Sequence, residues 1–274
     1  MRGVYNSVTD MRRKIFSAIA DMAYRDDVNY EQRMEQIPYE ILPGNNENVF
    51  LERAICGERL RLGMGLPLRD VSEAGTISDG IDKTIQPEKY YDAPLINIIK
   101  FACNACPEKK VVVTDNCQGC FSHQCTEVCP KKCIKIVNGR SLINQDECIK
   151  CGRCAEACPY HAIIKMERPC AVSCGMNAIS SDENGRAQIN YDKCVSCGQC
   201  LVNCPFGAIV DKGQIFQTIY AMKQGYDVIA CVAPAFVGQF GPKVTPDKVT
   251  NALKELGFAD VVEVAIGADM CTID

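Results

Sequence analysis

The spacing of the cysteines constrains this chain more than any other feature of its sequence. Two strings 46 residues apart share the pattern CxxCxxCxxxCP, in which x is any residue. They are formed by Cys148, Cys151, Cys154 and Cys158, and by Cys194, Cys197, Cys200 and Cys204. One ending, a cysteine followed five residues later by isoleucine, recurs after Cys129, Cys158, Cys174 and Cys204. Four copies of one ending predict four equivalent structural units.

The cellular compartment decides how 20 cysteines among 274 residues are interpreted. A chain of this length buries a core without needing disulfides. Asp21 ends the first apolar run before it reaches the roughly 7–15 residues of a secretory signal, and no segment approaches the roughly 18 apolar residues of a membrane span. We therefore expect a cytoplasmic protein with no membrane span, whose clustered cysteines bind metal. The net charge of −4 gives no reason to expect nucleic acid as a partner.

The CxxCxxCxxxCP spacing has a chemical reason. Three closely spaced thiolates can surround three irons of a [4Fe-4S] cubane, while the fourth cysteine starts a helix and binds the neighbouring cluster. Each string therefore needs a partner string that returns a fourth cysteine. The string before Cys148 has two additional loop residues and consists of Cys117, Cys120, Cys125 and Cys129. Asn138-Gly139 between them is a strong hairpin signal, and residues 117–163 resemble a bacterial 2[4Fe-4S] ferredoxin.

The partner of the second complete string is only half present nearby. The hairpin signal recurs at Asn184-Gly185, and Cys170 and Cys174 have the spacing of a second half-string, but no CxxC precedes them closely. The unassigned CxxC is formed by Cys103 and Cys106, ahead of the first ferredoxin-like segment. We therefore predict that one two-cluster unit is inserted inside the other, an arrangement that resembles polyferredoxin electron-transfer subunits.

Reciprocal exchange of the fourth cysteine predicts four [4Fe-4S] clusters, whose cysteines we number as sets one to four. Set one is Cys117, Cys120, Cys125 and Cys158, and set two is Cys148, Cys151, Cys154 and Cys129. Set three is Cys103, Cys106, Cys170 and Cys204, and set four is Cys194, Cys197, Cys200 and Cys174. We expect the remaining Cys56, Cys133, Cys231 and Cys271 to be small buried side chains. The alternative is a zinc ribbon of Cys103, Cys106, Cys117 and Cys120.

The flanks of the cysteine-rich region predict an α+β protein of three domains. Residues 1–92 form a helical N-terminal region, with helices over 11–24 and 48–62 and a loop rich in Pro and Gly over 65–93. Residues 93–212 form a four-cluster, ferredoxin-like domain. Residues 213–274 start an α/β domain, which is incomplete because one βαβ unit needs further strands to form a sheet.

The predicted βαβ unit has clear boundaries. A linking helix over 214–223 precedes a buried strand over 227–233. Thr245-Pro246 provides the N-cap and first turn of a helix that ends near Gly257. A second strand follows over 261–266, and strands joined by a helix at this spacing are parallel.

Two segments here, VIACVAPAFVGQFG and ALKELGFADVVEVAIGADM, resemble the opening of the catalytic domain of [FeFe]-hydrogenases. Ferredoxin-like clusters that lead into such a segment are also arranged in that family's order, and the resemblance covers about residues 95–274. It implies an iron-sulfur module that relays electrons between soluble ferredoxin, or a similar carrier, and a hydrogen-converting site not contained in these residues. The catalytic half would be cut off, encoded separately as a partner, or absent.

The resemblance carries over no catalytic residue. In that family the di-iron cluster is held by cysteines of a TSCCP motif and of later motifs, and none of these occurs in the 274 residues. The alternative function is that of a stand-alone polyferredoxin subunit without hydrogenase activity. A sensory or vestigial hydrogenase relative is a third possibility.

Overall fold

The computed structural model describes residues 5–25, 29–44, 47–70, 72, 74–86 and 93–273. Ile96–Asp211 forms one compact unit, and Tyr5–Leu95 together with Lys212–Asp274 forms another. The two flanks that the sequence divides into separate domains are thus grouped in one unit, while the three-domain division itself stays a prediction. No helix among the described residues has both the length and the hydrophobicity that crossing a bilayer requires.

Three helices dominate the described N-terminal region: α1 (Ser7–Tyr24), α2 (Tyr30–Ile41) and α3 (Val49–Gly63). The side chains of Asn6 and Asn29 cap α1 and α2 by accepting hydrogen bonds from backbone N–H groups. The sequence predicted α1 and α3 to within four residues at each end but missed α2. Its interior Pro38 removes one helical hydrogen bond and is typical of a helix break. Of the predicted loop, residues 71, 73 and 87–92 lie outside the described part.

These helices share an apolar core with a helix from the other flank, α8 (Ile215–Lys223). The fully buried side chains of this core include Ile15, Ile19, Ile37, Leu60 and Phe216. The predicted linking helix therefore completes the core of the N-terminal helices instead of standing alone. This unit has an ordinary hydrophobic core without clustered cysteines.

The unit Ile96–Asp211 consists of short elements. Its strands are β1 (Ile96–Ile98), β2 (Lys109–Val113), β3 (Ile134–Val137), β4 (Arg140–Ile143), β5 (Ile163–Glu167), β6 (Ile179–Ser181), β7 (Ala187–Ile189) and β8 (Ile209–Asp211). Its helices are α4 (Gln124–Glu127), α5 (Arg153–Glu156), α6 (Pro169–Val172) and α7 (Gln199–Asn203). Small antiparallel strand pairs and single-turn helices are what a ferredoxin-type segment predicts.

Residues 109–167 form what we term the contiguous half. Its first and last strands, β2 and β5, pair antiparallel, and the β3–β4 hairpin lies between them. Asn138 and Gly139 occupy the turn with φ of +49° and +75°, as a two-residue hairpin turn requires. Val111, Ile134, Ile143 and Ile163 form its core together with cysteines.

Residues 96–108 and 168–211 form what we term the split half. β1 pairs antiparallel with β8, and the β6–β7 hairpin lies between them, as β3–β4 does between β2 and β5. The β1–β8 pair encloses the whole contiguous half in sequence. Ile96, Ile98, Ile189 and Ile209 form a separate core with Cys170 and Cys200.

The C-terminal flank contains β9 (Ile229–Val232), α9 (Pro246–Glu255), β10 (Asp260–Glu263) and α10 (Val264–Ile273). β9 and β10 pair in parallel, which confirms the predicted βαβ unit. The expected extension of the second strand to Ile266 is wrong, because Val264 begins α10. The partner strand β9 ends at Val232, two residues before Pro234, and proline cannot donate a ladder hydrogen bond that would extend the pair.

Two of the four cysteines expected to be buried are exposed. Cys231 lies in β9, where Ala230 is buried and Ile229 is exposed, so one face of this strand is covered and the other is open. Cys271 in α10 is exposed as well. Cys56 and Cys133 are buried as expected.

Candidate metal centres

The first two cysteines of each of the four sets form a CxxC loop that has a residue in the left-handed conformation at the same position. This residue stands two positions after the first cysteine, and φ is +56° at Gly119, +58° at Lys150, +54° at Ser196 and +47° at Ala105. For residues other than glycine this conformation costs about 1–2 kcal/mol, so its recurrence reflects a requirement of the loop. The Cys103–Cys106 loop therefore has the same backbone form as the three loops that belong to longer strings.

The third cysteine of each set is the second residue of a single-turn helix. These residues are Cys125 in α4, Cys154 in α5, Cys170 in α6 and Cys200 in α7. All four are buried. Burial raises the pKa of the Cys170 and Cys200 thiols to about 11. Because metals bind thiolate, loading these sites releases protons.

The fourth cysteines also share one local structure. Each is followed three residues later by a left-handed residue: Lys132, His161, Asn177 or Gly207. The turn directs backbone N–H groups at sulfur, so that Ala162 donates to Cys158 Sγ and Ala178 donates to Cys174 Sγ, both at 3.4 Å. Such hydrogen bonds stabilise thiolate over thiol. His161 is therefore the left-handed residue of the turn after Cys158.

The four cysteines of set three line one cavity of about 330 Å³. Cys103 and Cys106 come from the segment before the contiguous half, and Cys170 and Cys204 come from the segments after it. Arg168, Asn104 and apolar side chains complete the wall. The zinc-ribbon alternative groups Cys103 and Cys106 with Cys117 and Cys120, whereas here their cavity partners are Cys170 and Cys204.

Two further cavities are lined by sets two and four. The cavity of set four measures about 370 Å³ and is bordered by Cys174, Cys194, Cys197 and Cys200. The cavity of set two measures about 320 Å³ and is bordered by Cys129, Cys148, Cys151 and Cys154. Cys133 is a fifth thiol in that wall, with its Sγ 3.5 Å from Cys129 Sγ. Burial, together with the contact to Cys129, raises the pKa of Cys133 to about 12.

Set one is connected through contacts around Ser141. The Ser141 hydroxyl lies 3.2 Å from Cys125 Sγ. Hydrogen bonds from the backbone of Ser141 and of Gly119 lower the pKa of the Cys117 thiol. Cys125 and Cys158 belong to the same core cluster.

The split half repeats the contact between hairpin and loop. Ala187 stands 46 residues after Ser141, and its N–H donates to Cys103 Sγ at 3.4 Å. Cys103 therefore has the surroundings that Cys117 has in the contiguous half, except that a methyl group replaces the serine hydroxyl.

The donor sets fit iron-sulfur clusters. Thiolate is the ligand that such clusters take, four to a cluster, and backbone N–H groups pointing at sulfur are part of their usual surroundings. The sulfurs line the walls of cavities instead of converging on a point. No three His, Cys, Asp or Glu side chains among the described residues form a group suited to a single metal ion.

The sequence reasoning missed two polar residues of these sites. Ser141 and Arg168 both contact cysteine-bearing loops, and neither belongs to a cysteine string. A signal was present for Arg168. The residue two positions before the third cysteine is His123, Gly152 or Gly198 in the other three sets, and an arginine stands there only in set three. His123, Gly152 and Gly198 are left-handed in the structure, whereas Arg168 is extended.

Comparisons with known proteins identify 4Fe-4S binding segments in this region. Residues 142–164 and 187–210 match the 4Fe-4S binding domain, and residues 226–274 match the C-terminal domain of the iron-only hydrogenase large subunit. An uncharacterised ferredoxin of Methanocaldococcus jannaschii is 46% identical over 52 residues, which are 19% of this chain and 31% of that protein. Ferredoxin-1 of Caulobacter vibrioides is 46% identical over 52 residues, which are 19% of this chain and 46% of that protein.

The chain thus spans less than half the length of these curated relatives. The matches confirm the resemblance to the ferredoxin-like half of an [FeFe]-hydrogenase. The chain carries 4Fe-4S electron-transfer domains followed by a hydrogenase-related segment.

Proposed function

We propose that this chain is the electron-transfer module of an [FeFe]-hydrogenase and holds four [4Fe-4S] clusters in two nested two-cluster units. It relays electrons between soluble ferredoxin, or a similar carrier, and a hydrogen-converting site that these 274 residues do not contain. The abundance of clustered cysteines favours a reducing, cytoplasmic location. Sets one to four are the proposed ligands.

The observation that carries this proposal is the cavity of set three. Its four thiols come from both sides of the contiguous half and line one space of about 330 Å³. The left-handed Ala105 supports it, because it gives the Cys103–Cys106 loop the form of the other CxxC loops. Without this set, Cys204 and Cys170 would lack cluster partners and the chain would hold fewer than four clusters.

The residues of these sites serve electron transfer in two ways. Each bound cluster accepts and returns one electron. Buried thiols such as Cys154 and Cys170 hold their ligand positions away from water, and backbone N–H groups stabilise the sulfurs. Cys151 of set two and Cys197 of set four are exposed, and so they offer two places where a redox partner can approach.

A second function is favoured by the relatives. The two curated relatives named above are both ferredoxins. A stand-alone polyferredoxin subunit would share every cluster site and would differ in its partner. Hydrogen evolution by a catalytic hydrogenase portion that depends on the reduced chain would favour the hydrogenase module. Failure of that transfer, with all clusters intact, would favour the polyferredoxin.

Metal content tests the four-cluster proposal. We expect about sixteen iron and sixteen sulfide per anaerobically purified chain, four of each per cluster. Cys106→Ala should reduce iron to about twelve, because it removes one ligand of set three. Cys231→Ala is the matched control, since this exposed thiol belongs to no set, and it should keep the full content.

Two results would contradict the proposal. About eight iron together with bound zinc in the unaltered chain would exclude the nested pair. Infrared bands of iron-bound CO and CN would show that the chain itself contains a hydrogen-converting centre, which we do not expect.

A further inference from the structure

Arg168 lies at the junction where the contiguous half ends and the split half resumes. It follows β5 directly and is the N-cap residue of α6, which carries Cys170. The side chain is long and charged, yet only 2% of it is exposed. Lys, Arg and acidic side chains are almost never this deeply buried unless they are paired.

The guanidinium joins three segments of the split half by five hydrogen bonds. Nε and Nη2 donate to the carbonyl oxygen of Cys106 at 3.0 and 2.7 Å. Nη1 donates to the carbonyl of Ser180 at 2.9 Å. Ser181 Oγ and the carbonyl oxygen of Gly185 also lie 2.8 and 2.7 Å from Nη2, so its two N–H groups are shared among three oxygens. The Cys106 loop is thereby held against the β6–β7 hairpin.

These hydrogen bonds do not neutralise the charge. All the acceptors are carbonyl or hydroxyl oxygens, which are neutral. A buried charge without a counter-charge is costly. Arg168 lines the set-three cavity, whose other non-cysteine residues are uncharged. Hydrogen bonds from Ser181, with a smaller contribution from the Arg168 charge, lower the pKa of the Glu108 carboxyl, but Glu108 is exposed and lies outside the cavity wall. Within the cavity, the negative charge that faces the guanidinium is that of the thiolates and of the cluster that they would hold.

We propose that Arg168 positions Cys106 and, through its buried positive charge, raises the reduction potential of the set-three cluster. This inference rests on the proposed function. Reduction by one electron, supplied by dithionite in the test below, makes the cluster with its thiolates more negative by one charge. A nearby cation stabilises that reduced form more than the oxidised form, and net charge and hydrogen bonding are known determinants of cluster potential.

Three variants test this role. Arg168→Gln removes the charge, Arg168→Lys keeps the charge with fewer donors, and Arg153→Gln is the control. Arg153 lines the set-two cavity but is exposed, so solvent screens its charge. Each full-length protein is titrated with dithionite, the cluster signals are followed by electron paramagnetic resonance, and iron is counted.

In Arg168→Gln we expect the ratio of oxidised to reduced set-three cluster, at a fixed ambient potential, to rise at least tenfold. A tenfold change equals about 59 mV for a one-electron couple. Arg168→Lys should stay within threefold of the unaltered chain, and Arg153→Gln should change no signal by more than that.

The outcomes distinguish a failure of the Arg168 inference from a failure of the proposed function. If Arg168→Gln keeps its iron and shifts no more than Arg153→Gln, the inference is overturned. A second outcome is that Arg168→Gln loses the set-three cluster altogether. In that case the inference is supported if Arg168→Lys retains this cluster at nearly the original potential. Loss from both variants contradicts a role for the charge, since lysine keeps it. Fewer than four clusters in the unaltered chain would count against the proposed function, whatever these variants do.

Discussion

The contiguous and split halves build the same arrangement with different connections. In each, an outer antiparallel strand pair encloses a hairpin, β2–β5 around β3–β4 in one and β1–β8 around β6–β7 in the other. In the contiguous half the leading CxxC is followed by the third cysteine after four residues, whereas in the split half the whole contiguous half intervenes. Sites of this kind therefore depend on loop form and strand closure more than on chain continuity.

The junction is compatible with the proposed insertion of one unit in the other. The backbone N–H of Arg168 lies 3.4 Å from the carbonyl oxygen of Glu108, so the insert leaves and re-enters the split half at nearly the same point. Antiparallel pairing of β2 with β5 brings the two ends of the insert together. An insert with adjacent ends adds little strain to its host, and closing a long loop costs only slightly more than closing a short one.

The largest expected effect comes from removing the contiguous half. Deleting residues 109–167 and joining Glu108 to Arg168 leaves four residues between Cys106 and Cys170, the spacing found between Cys120 and Cys125. We expect this chain to keep sets three and four and to hold about eight iron. Iron and sulfide analysis measures the result. A shortened chain that folds but holds about four iron or none would contradict the view that the split half builds its two sites independently of the contiguous half.

A second prediction uses the left-handed loop residue, which is Gly119 in the contiguous half and Ala105 in the split half. A Cβ at Gly119 would lie 1.9 Å from the carbonyl oxygen of Gly139, and backbone cannot move aside easily. Gly119→Ala should therefore cost the set-one cluster and leave about twelve iron. Ala105→Gly is the matched change. It should keep about sixteen iron and remove a backbone cost of about 1–2 kcal/mol.

Loss of iron from Ala105→Gly but not from Gly119→Ala would show that the two CxxC loops do not bind their clusters in equivalent ways. Thermal unfolding of the loaded proteins measures any gain in stability from Ala105→Gly.

A smaller effect is expected at the hairpin position that differs between the halves. Ser141→Ala removes a hydroxyl 3.2 Å from Cys125 Sγ and leaves the backbone bond to Cys117 in place. Since hydrogen bonds to sulfur raise cluster potential, the set-one cluster should become harder to reduce. A net contribution of about 0.5–1.5 kcal/mol corresponds to roughly a twofold to tenfold change in the ratio of oxidised to reduced cluster.

Redox titration followed by electron paramagnetic resonance checks this shift. Ala187→Ser places a hydroxyl at the equivalent position in the split half and serves as the reverse experiment. An easier reduction of set one in Ser141→Ala would show that its hydroxyl does not donate to sulfur.

The smallest effect is expected at Cys133. The corresponding residue of the other three endings is alanine, namely Ala162, Ala178 and Ala208. Cys133→Ala should keep about sixteen iron and change the free energy of unfolding by about 1 kcal/mol or less, because it deletes one buried atom. Iron analysis and thermal unfolding measure both quantities. Loss of four iron would instead make Cys133 a ligand and remove one cysteine from set two.

Much of the fold was predictable because its signals are local. The Asn138-Gly139 turn specifies its hairpin through backbone preferences of two residues. The βαβ unit follows from apolar runs separated by a helix with Pro246 at its start. The helix over residues 30–41 escaped notice because Pro38 argues locally against a helix, while packing of Met34 and Ile37 into the core stabilises it.

The exposure of Cys231 could not be predicted from neighbouring residues either. Its apolar neighbours predict a buried strand, but burial of a strand depends on what covers each face. The same holds for Ser141 and Arg168, whose contacts with the cysteine loops arise from segments distant in sequence.

By itself the sequence determined which short loops can surround iron, because three thiolates in one tight loop are a property of neighbouring residues. It also determined the pairing expected within the contiguous half, whose two strings are adjacent. Only the tertiary structure brought Cys103 and Cys106 to Cys170 and Cys204, and Arg168 to their cavity. That outcome depends on β1 pairing with β8 across the insert, and long-range strand pairing is decided by the energy of the whole fold.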